Sequence, residues 1–367
     1  MRLKDRVLAW RDRTVAKPGF QRWAARFPLT RRIAQRRASA LFNLATGFVY
    51  SQVLHACVCL DLFEILADGP LPLADLAPKL GLDKTAAERL LAAAIALQLI
   101  ETRKNNRYGL GPHGAVLVGN QGILGMIRHH AMLYEDLVDP VALLRDEGRP
   151  TKLQAYWSYA RNPDAAAVEA GTVVEYSSLM AASQVFIADE VLDAYDFRPH
   201  RLVMDLGGGE GAFLETALRR VPSLNAILFD LPAVAERARQ RLDNDARVTF
   251  TGGDFLKGSL PDGADLISLV RVIHDHDDAV AMRILEAAGR ALAPGGTLIL
   301  AEPMAGTRGA EPMGDAYFGF YLMAMGSGRP RTVQALSEML RQAGFTGIRQ
   351  CRAAQPMLVR VLAARKS

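Results

Sequence analysis

The run Val203-Met204-Asp205-Leu206-Gly207-Gly208-Gly209-Glu210-Gly211 constrains this chain more than any other segment. An apolar stretch ends in an acid, and four glycines fall within five positions before Ala212-Phe213-Leu214-Glu215-Thr216-Ala217-Leu218. That order spells a buried strand, a tight turn almost bare of side chains, and a helix. Glycine lets the backbone take positive φ and lie close to a ligand, and the helix that follows starts with free N–H groups. After the first strand of a parallel sheet, such a turn is where doubly wound folds hold nucleotide-like cofactors. Gly207-x-Gly209-x-x-Ala212 also satisfies the loose dinucleotide pattern, so the turn alone does not choose the cofactor.

From residue 199 strands and helices alternate. Strands are predicted at 202–206, 225–230, 247–250, 265–271 and 297–302, and helices at about 211–220, 232–242, 278–292 and 333–343. Two more strands, near 346–352 and 357–363, close the chain with no helix between them. This points to an α/β domain with a Rossmann-like, seven-stranded methyltransferase sheet; half of a plain dehydrogenase need not end that way.

Ahead of that domain, three regions are expected. Residues 1–40 form a basic arm with twelve Lys and Arg against two Asp, so the arm carries +10 and the rest of the chain −5. Residues 41–115 read as a winged-helix-like unit: a short helix ending at Gly81, a helix capped by Asp83, then a hairpin turning at Asn105-Asn106. Its second helix, Ala86 to Leu99, is nearly apolar all round and should be buried. It lacks the donors a DNA-reading helix needs, which favours a dimerisation unit over a winged-helix regulator, and no nucleic-acid partner is expected. Residues 116–198 read as a helical linker and pocket wall.

With 367 residues the chain can bury a large core. Three cysteines form neither a disulfide framework nor a four-ligand zinc site, which suits a reducing cytoplasm. No secretory h-region follows the first basic residues. Ala38 to Leu60 runs without a charge, but Asn43, Thr46, Ser51, Gln52 and His55 interrupt it, so a buried or partner-packed helix is expected rather than a membrane span.

Three acids end successive strands: Asp205, Asp230 in Phe229-Asp230-Leu231-Pro232, and Asp254 in Gly252-Gly253-Asp254-Phe255. A carboxylate ending the second strand suits a ribose diol. Asp254 and Phe255 suit the amino group and face of an adenine. NAD and S-adenosylmethionine share adenosine, so an NAD-dependent oxidoreductase stays open at this point. After the fourth strand comes Arg271-Val272-Ile273-His274-Asp275-His276-Asp277-Asp278. His274 is placed as a general base, and Glu302, ending the fifth strand, as the group that orients it. The His-Asp-His-Asp-Asp run also invites a metal. Adjacent residues seldom converge on one ion, however, and Asp277 and Asp278 are expected to cap the next helix.

The segments DLGGGEG, FDLP, GGDF, VIHD and LAPGGTLILAEP, in this order and spacing, resemble the plant-type S-adenosylmethionine-dependent O-methyltransferases over roughly residues 41–367. The resemblance implies a class I methyltransferase fold, an N-terminal dimerisation domain, a homodimer, S-adenosylmethionine as cofactor and no metal. It puts the catalytic histidine on His274, its supporting acid on Glu302, and cofactor residues on Gly207, Asp230, Asp254 and Phe255. Gly209 of the turn belongs with these. Two positions depart from the pattern. A second supporting glutamate is expected before Arg331-Thr332, where Pro330 stands, and the lysine expected on the fourth strand is Val270. Arg271, beside it, is the remaining basic candidate for the cofactor.

Phe42 through Gln52, His129-His130 and Asp315 through Thr332, together with the arm, are similar to the carotenoid O-methyltransferases of purple photosynthetic bacteria. That similarity implies methylation of the C1 tertiary hydroxyl of an acyclic carotenoid of the demethylspheroidene type; a phenolic or polyketide substrate is the alternative. Met180, Phe320 and Met323 are the candidate pocket residues, since Met and aromatic side chains line adaptable apolar pockets. Trp10, Phe20, Trp23 and Phe27 among the arginines suit a peripheral contact with an anionic membrane. A cytoplasmic protein touching the inner or photosynthetic membrane is therefore expected.

Overall fold

In the computed structural model, residues 3–145, 149–157, 184, 186–243 and 245–367 are described. The chain divides into two compact units, Met1–Gly119 and Asn120–Ser367.

The first unit opens with α1 (Leu3–Val15), α2 (Pro18–Arg26) and the long α3 (Pro28–Cys59), then α4 (Leu62–Ile65). α3 passes residue 40 without a break, although the charge pattern changes there. A small sheet follows: β1 (Leu71–Pro72), β2 (Ile100–Arg103) and β3 (Arg107–Leu110), in the order β1-β3-β2, with α5 (Leu73–Lys79) and α6 (Lys84–Ala96) between β1 and β2. The Asp83 carboxylate accepts from Ala86 N–H at 2.8 Å and starts α6. Asn105 and Asn106 both take positive φ, 58° and 52°, which turns β2 back along β3. Asparagine tolerates that conformation better than most residues.

One expectation needs correcting here: α6 buries only the stripe Ala87, Leu91 and Ala94, while Ala92 and Ala96 stay exposed. In the charge-free part of α3, expected to be buried or partner-packed, only Cys57 and Val58 are buried within the chain, and Leu44 is 81% and Phe48 71% exposed. Small or apolar side chains on an open face save little free energy until a partner covers them.

The second unit begins with α8 (Gln121–Asp136), α9 (Pro140–Leu144) and α10 (Lys152–Tyr156), following α7 (Pro112–Ala115) of the first. Its sheet contains β4 (Leu202–Leu206), β5 (Asn225–Asp230), β6 (Val248–Gly252), β7 (Leu266–Val270), β8 (Thr297–Glu302), β9 (Phe345–Cys351) and β10 (Arg360–Lys366). Their order is β6-β5-β4-β7-β8-β10-β9, with β10 antiparallel to both of its neighbours. The last strand starts three residues later than the sequence suggests, because Gln355 to Leu358 close a turn first. Arg360 then pairs with Glu302.

Side chains alternate across this sheet as the two-residue period requires. Met204, Leu206, Ile267, Leu269, Leu298 and Leu300 pack into one core with the helices Asp278–Ala291 and Val333–Gln342. Val203, Leu266, Val270, Ile299 and Ala301 pack into a second core with the helix Ala212–Arg220. Covered on both faces, the central strands read as unbroken apolar runs. The chain runs outward from β4 through β5 to β6 and then returns to β7 on the other side of β4. The crevice at that reversal is where such sheets bind ligands.

Candidate active site

One wall of the crevice is the turn after β4. Gly207, Gly209 and Gly211 have φ of 75°, 57° and 80°, a left-handed conformation that side-chain-bearing residues avoid. A Cβ on Gly207 would lie 2.8 Å from Val272, whereas one on Gly209 would meet nothing within 4 Å. The turn is thus closed against the sheet and open above Gly209. Asp230 accepts from Gly209 N–H at 2.8 Å and from Leu231 N–H at 2.7 Å. Burial pushes its carboxyl up to about 6, against the pull of those two N–H groups. Asp205, buried beneath, accepts from the Ser268 hydroxyl at 2.6 Å, and burial pushes it up to about 7. Asp254 accepts from Leu256 N–H at 2.8 Å. Phe255 meets the His276 ring edge-on at 5.7 Å. Open space over glycine backbone, a carboxylate held by neutral donors and a nearby aromatic ring fit an adenosine-bearing cofactor.

The other wall follows β7. His274 is buried, with its ring held at both nitrogens: Nδ1–H donates to Glu302 Oε2, and Nε2 lies 3.1 Å from Asp275 Oδ1. Glu302 is fixed in turn, since its Oε1 accepts from Val272 N–H at 3.1 Å and Ile273 N–H at 2.7 Å. Burial alone would lower the His274 pKa, but the carboxylates of Asp275 and Glu302 outweigh it, and the net shift is upward. Asp275 is raised too, first by burial. Both ring nitrogens therefore face carboxylates, an arrangement that suits the imidazolium form and makes the ring a stronger base.

The sequence reading placed Glu302 correctly beside His274 but did not give Asp275 this role. Its only cue was the adjacency of the two residues. At Pro330, where a second glutamate was expected, no carboxylate stands. Instead the segment after it clamps the histidine loop from behind. Arg331, buried, donates to Ile273 O at 2.9 Å and His276 O at 2.7 Å, while Arg329 N–H donates to His274 O at 2.9 Å. Gly328 lies so close that a Cβ there would be 2.1 Å from the His274 carbonyl oxygen. Asp277 sits at the start of the next helix, as expected, but its side chain accepts from Gly328 N–H at 3.0 Å rather than capping that helix. Asp278 pairs with Arg329 and Arg331.

Arg271, the basic candidate for the cofactor, holds a strained φ of 59°, and its charge also acts on His274, Asp275, Tyr317 and Tyr321. The aromatic side chain against His274 is Phe318, edge-on at 5.7 Å. It ends a π-helical stretch, Pro312–Phe318, that continues into the helix Gly319–Met325. Two histidines of α8 hold this segment: His129 Nε2 pairs with Tyr321 Oη and His130 Nε2 with Tyr317 Oη, each at 2.8 Å. Trp157 Nε1–H donates to the same Tyr321 Oη at 3.1 Å, so one hydroxyl joins Trp157 and His129. Burial, helped by His130, lowers His129 to about 4, so it stays neutral.

Of the candidate pocket residues, Met323 lines a cleft of about 430 Å³ with Gly319 and Leu322, and His274 is not among the described residues lining it. Phe320 is half-buried. Met180 lies outside the described residues.

Comparison with known families decides what this crevice belongs to. An O-methyltransferase domain matches residues 134–346, and an O-methyltransferase dimerisation domain matches residues 42–120. The chain belongs to the O-methyltransferase family. It is 42% identical to a demethylspheroidene O-methyltransferase of Rhodobacter capsulatus, over 93% of this chain and 85% of that one. It is 40% identical to a demethylspheroidene O-methyltransferase of Cereibacter sphaeroides, over 90% and 87% respectively. Human N-acetylserotonin methyltransferase, solved in complex with S-adenosylmethionine, superposes with a TM-score of 0.75 at 25% identity, covering 90% of this chain and 98% of that one. The class I methyltransferase architecture expected from the strand pattern is thereby borne out. So is the dimerisation unit, which supports a homodimer.

Proposed function

We propose that this S-adenosylmethionine-dependent O-methyltransferase methylates the C1 tertiary hydroxyl of an acyclic carotenoid of the demethylspheroidene type, with His274 as general base. The observation that carries the substrate class is the 40–42% identity, over at least nine-tenths of the chain, to two demethylspheroidene O-methyltransferases. The aromatic and Met-rich segment 317–325 beside His274 supports it.

Gly207, Gly209 and Asp230 would hold the turn and ribose side of the cofactor, and Asp254 and Phe255 its adenine side. When bound, that cofactor supplies an electrophilic methyl group on a sulfonium. The chain's own residues do the rest. Glu302 accepts from Nδ1–H and so keeps Nε2 as the nitrogen that can take a proton. A tertiary alcohol is very weakly acidic, so its proton has to leave as oxygen attacks, and a base of raised pKa is better matched to that step. Asp275 and Glu302 then stabilise the imidazolium that forms. Phe318 and the tyrosines behind it exclude water from the ring and fix the approach of the hydroxyl, so positioning supplies much of the rate. A substrate of this kind dissolves in lipid, and the enzyme is proposed to act in the cytoplasm at the surface of the inner or photosynthetic membrane, with residues 1–40 making the contact.

Turnover with labelled S-adenosylmethionine, comparing a detergent-dispersed 1-hydroxycarotenoid with a catechol-type phenol, tests the substrate. Methylation of the carotenoid is expected. Methylation of the phenol alone would discard the carotenoid assignment and keep the fold and family.

A further inference from the structure

Neither family match reaches residues 1–41, which leaves α1, α2 and the first part of α3, up to residue 41, without an assigned role. These residues are helical from Leu3 onward, yet among them only Ala24 is buried. On α1, Leu3, Val7 and Trp10 fall at one helical spacing and are 78%, 57% and 66% exposed. On α2 and its C-cap, Phe20, Trp23 and Phe27 stack in a row, with ring centroids 5.5 Å and 5.0 Å apart, and Trp23 and Phe27 are exposed. Leu29 and Ile33 continue the exposed apolar positions at the start of α3. Arg22, Arg26, Arg31, Arg32, Arg36 and Arg37 run among them. A folded chain that leaves two tryptophans and a row of leucine-sized side chains in water, with basic residues beside them, has a surface built for a partner that is both apolar and negatively charged.

We infer that residues 3–37 form a docking surface for an anionic lipid bilayer, with Trp10, Trp23 and Phe27 entering the headgroup boundary and the arginines holding the phosphates. A second copy of the arm does not fit, because each arm carries +10 and two would repel. Nucleic acid would satisfy the arginines but leave Leu3, Val7, Leu29 and Ile33 uncovered. Tryptophan prefers the interface and arginine the anionic headgroup, so lipid satisfies both sets at once. The inference rests on the carotenoid reading for its purpose only: docking would hold the enzyme at the layer in which such a substrate dissolves.

The full-length protein, with no pigment present, is mixed with vesicles of phosphatidylcholine alone and of phosphatidylcholine with phosphatidylglycerol, and the bound fraction is measured by sedimentation. Partition is expected to rise about tenfold or more with the anionic lipid and to fall with added salt. Trp10→Glu combined with Trp23→Glu should lower binding about tenfold or more, and Arg31, Arg32, Arg36 and Arg37→Gln should abolish the lipid preference. Both variants should keep wild-type S-adenosylmethionine affinity and wild-type elution on size exclusion. Equal partition into both vesicles, or none, would overturn the inference, as would loss of the dimer in the tryptophan variant, which would make the arm a clasp between copies. Tighter binding to duplex DNA than to anionic vesicles would overturn it in favour of nucleic acid. Since the vesicles hold no carotenoid, none of these outcomes depends on what the enzyme methylates.

Discussion

The two walls of the crevice both bury carboxylates, but they hold them in opposite ways. On the glycine side, Asp205 and Asp230 face neutral donors only, a serine hydroxyl and two backbone N–H groups, and burial pushes them up to about 7 and about 6. On the histidine side, Asp275 and Glu302 face an imidazole, whose pKa they raise. Neutral dipoles ready to exchange for a ligand's hydroxyls make a binding wall. Paired charge around one ring makes a wall for moving a proton. Affinity and chemistry should therefore separate cleanly when residues of the two walls are changed.

The sharpest break is His274→Ala. Turnover should fall by roughly 10²–10⁴-fold, while calorimetric titration with S-adenosylmethionine stays at the wild-type value; near-normal turnover would remove His274 from the base role. Asp230→Ala should do the reverse. Losing hydrogen bonds to a charged acceptor weakens cofactor binding by roughly 10–100-fold, with a much smaller effect at saturating cofactor. A large fall in kcat with unchanged affinity would contradict the division of labour.

Changes in pH sharpen the same contrast. In the proposed base role His274 needs a neutral ring, and its pKa is raised, so kcat/KM should climb with pH along a limb above about 6.5. Asp275→Asn removes one of the raising charges and should move that limb to lower pH; a limb that stays in place would show that Asp275 does not act on the ring. Cofactor affinity should instead weaken as pH falls below about 6, where Asp230 takes up a proton. The smallest effect is expected behind the histidine wall. Tyr321→Phe leaves the Trp157 N–H and His129 without the shared hydroxyl, which should cost about 1–3 kcal/mol of stability in a denaturant titration. It should leave cofactor affinity unchanged.

How much of this was readable in the chain differs between the walls for a physical reason. The glycine turn is local: β4, the turn and the helix Ala212–Arg220 are consecutive, and each residue type there is demanded by backbone geometry within a few positions. Asp230 was equally legible, as an acid ending the next strand. The histidine wall is assembled from distant pieces. Glu302 lies 28 residues from His274 and could be named because strand ends share one edge of a parallel sheet. Arg331 and Gly328 grip the same loop from still further along, and no spacing rule connects them to it. Tyr321 and His129, 192 residues apart, were visible only as an aromatic segment and a histidine pair.

Sequence by itself determined the strand order of chemistry along the sheet edge, the glycine turn, the pairing of His274 with Glu302, the charge of the arm and the family. Tertiary structure alone decided that Asp275 supplies the second carboxylate at His274 Nε2, that Arg331 and Gly328 grip the histidine loop from behind, and that Phe318 stands against the ring. The reason is range. Backbone conformation and strand patterning are set by neighbours a few residues away, whereas which side chain meets which across a crevice depends on side-chain direction and loop packing. Those are fixed only once elements remote in the chain have been brought together.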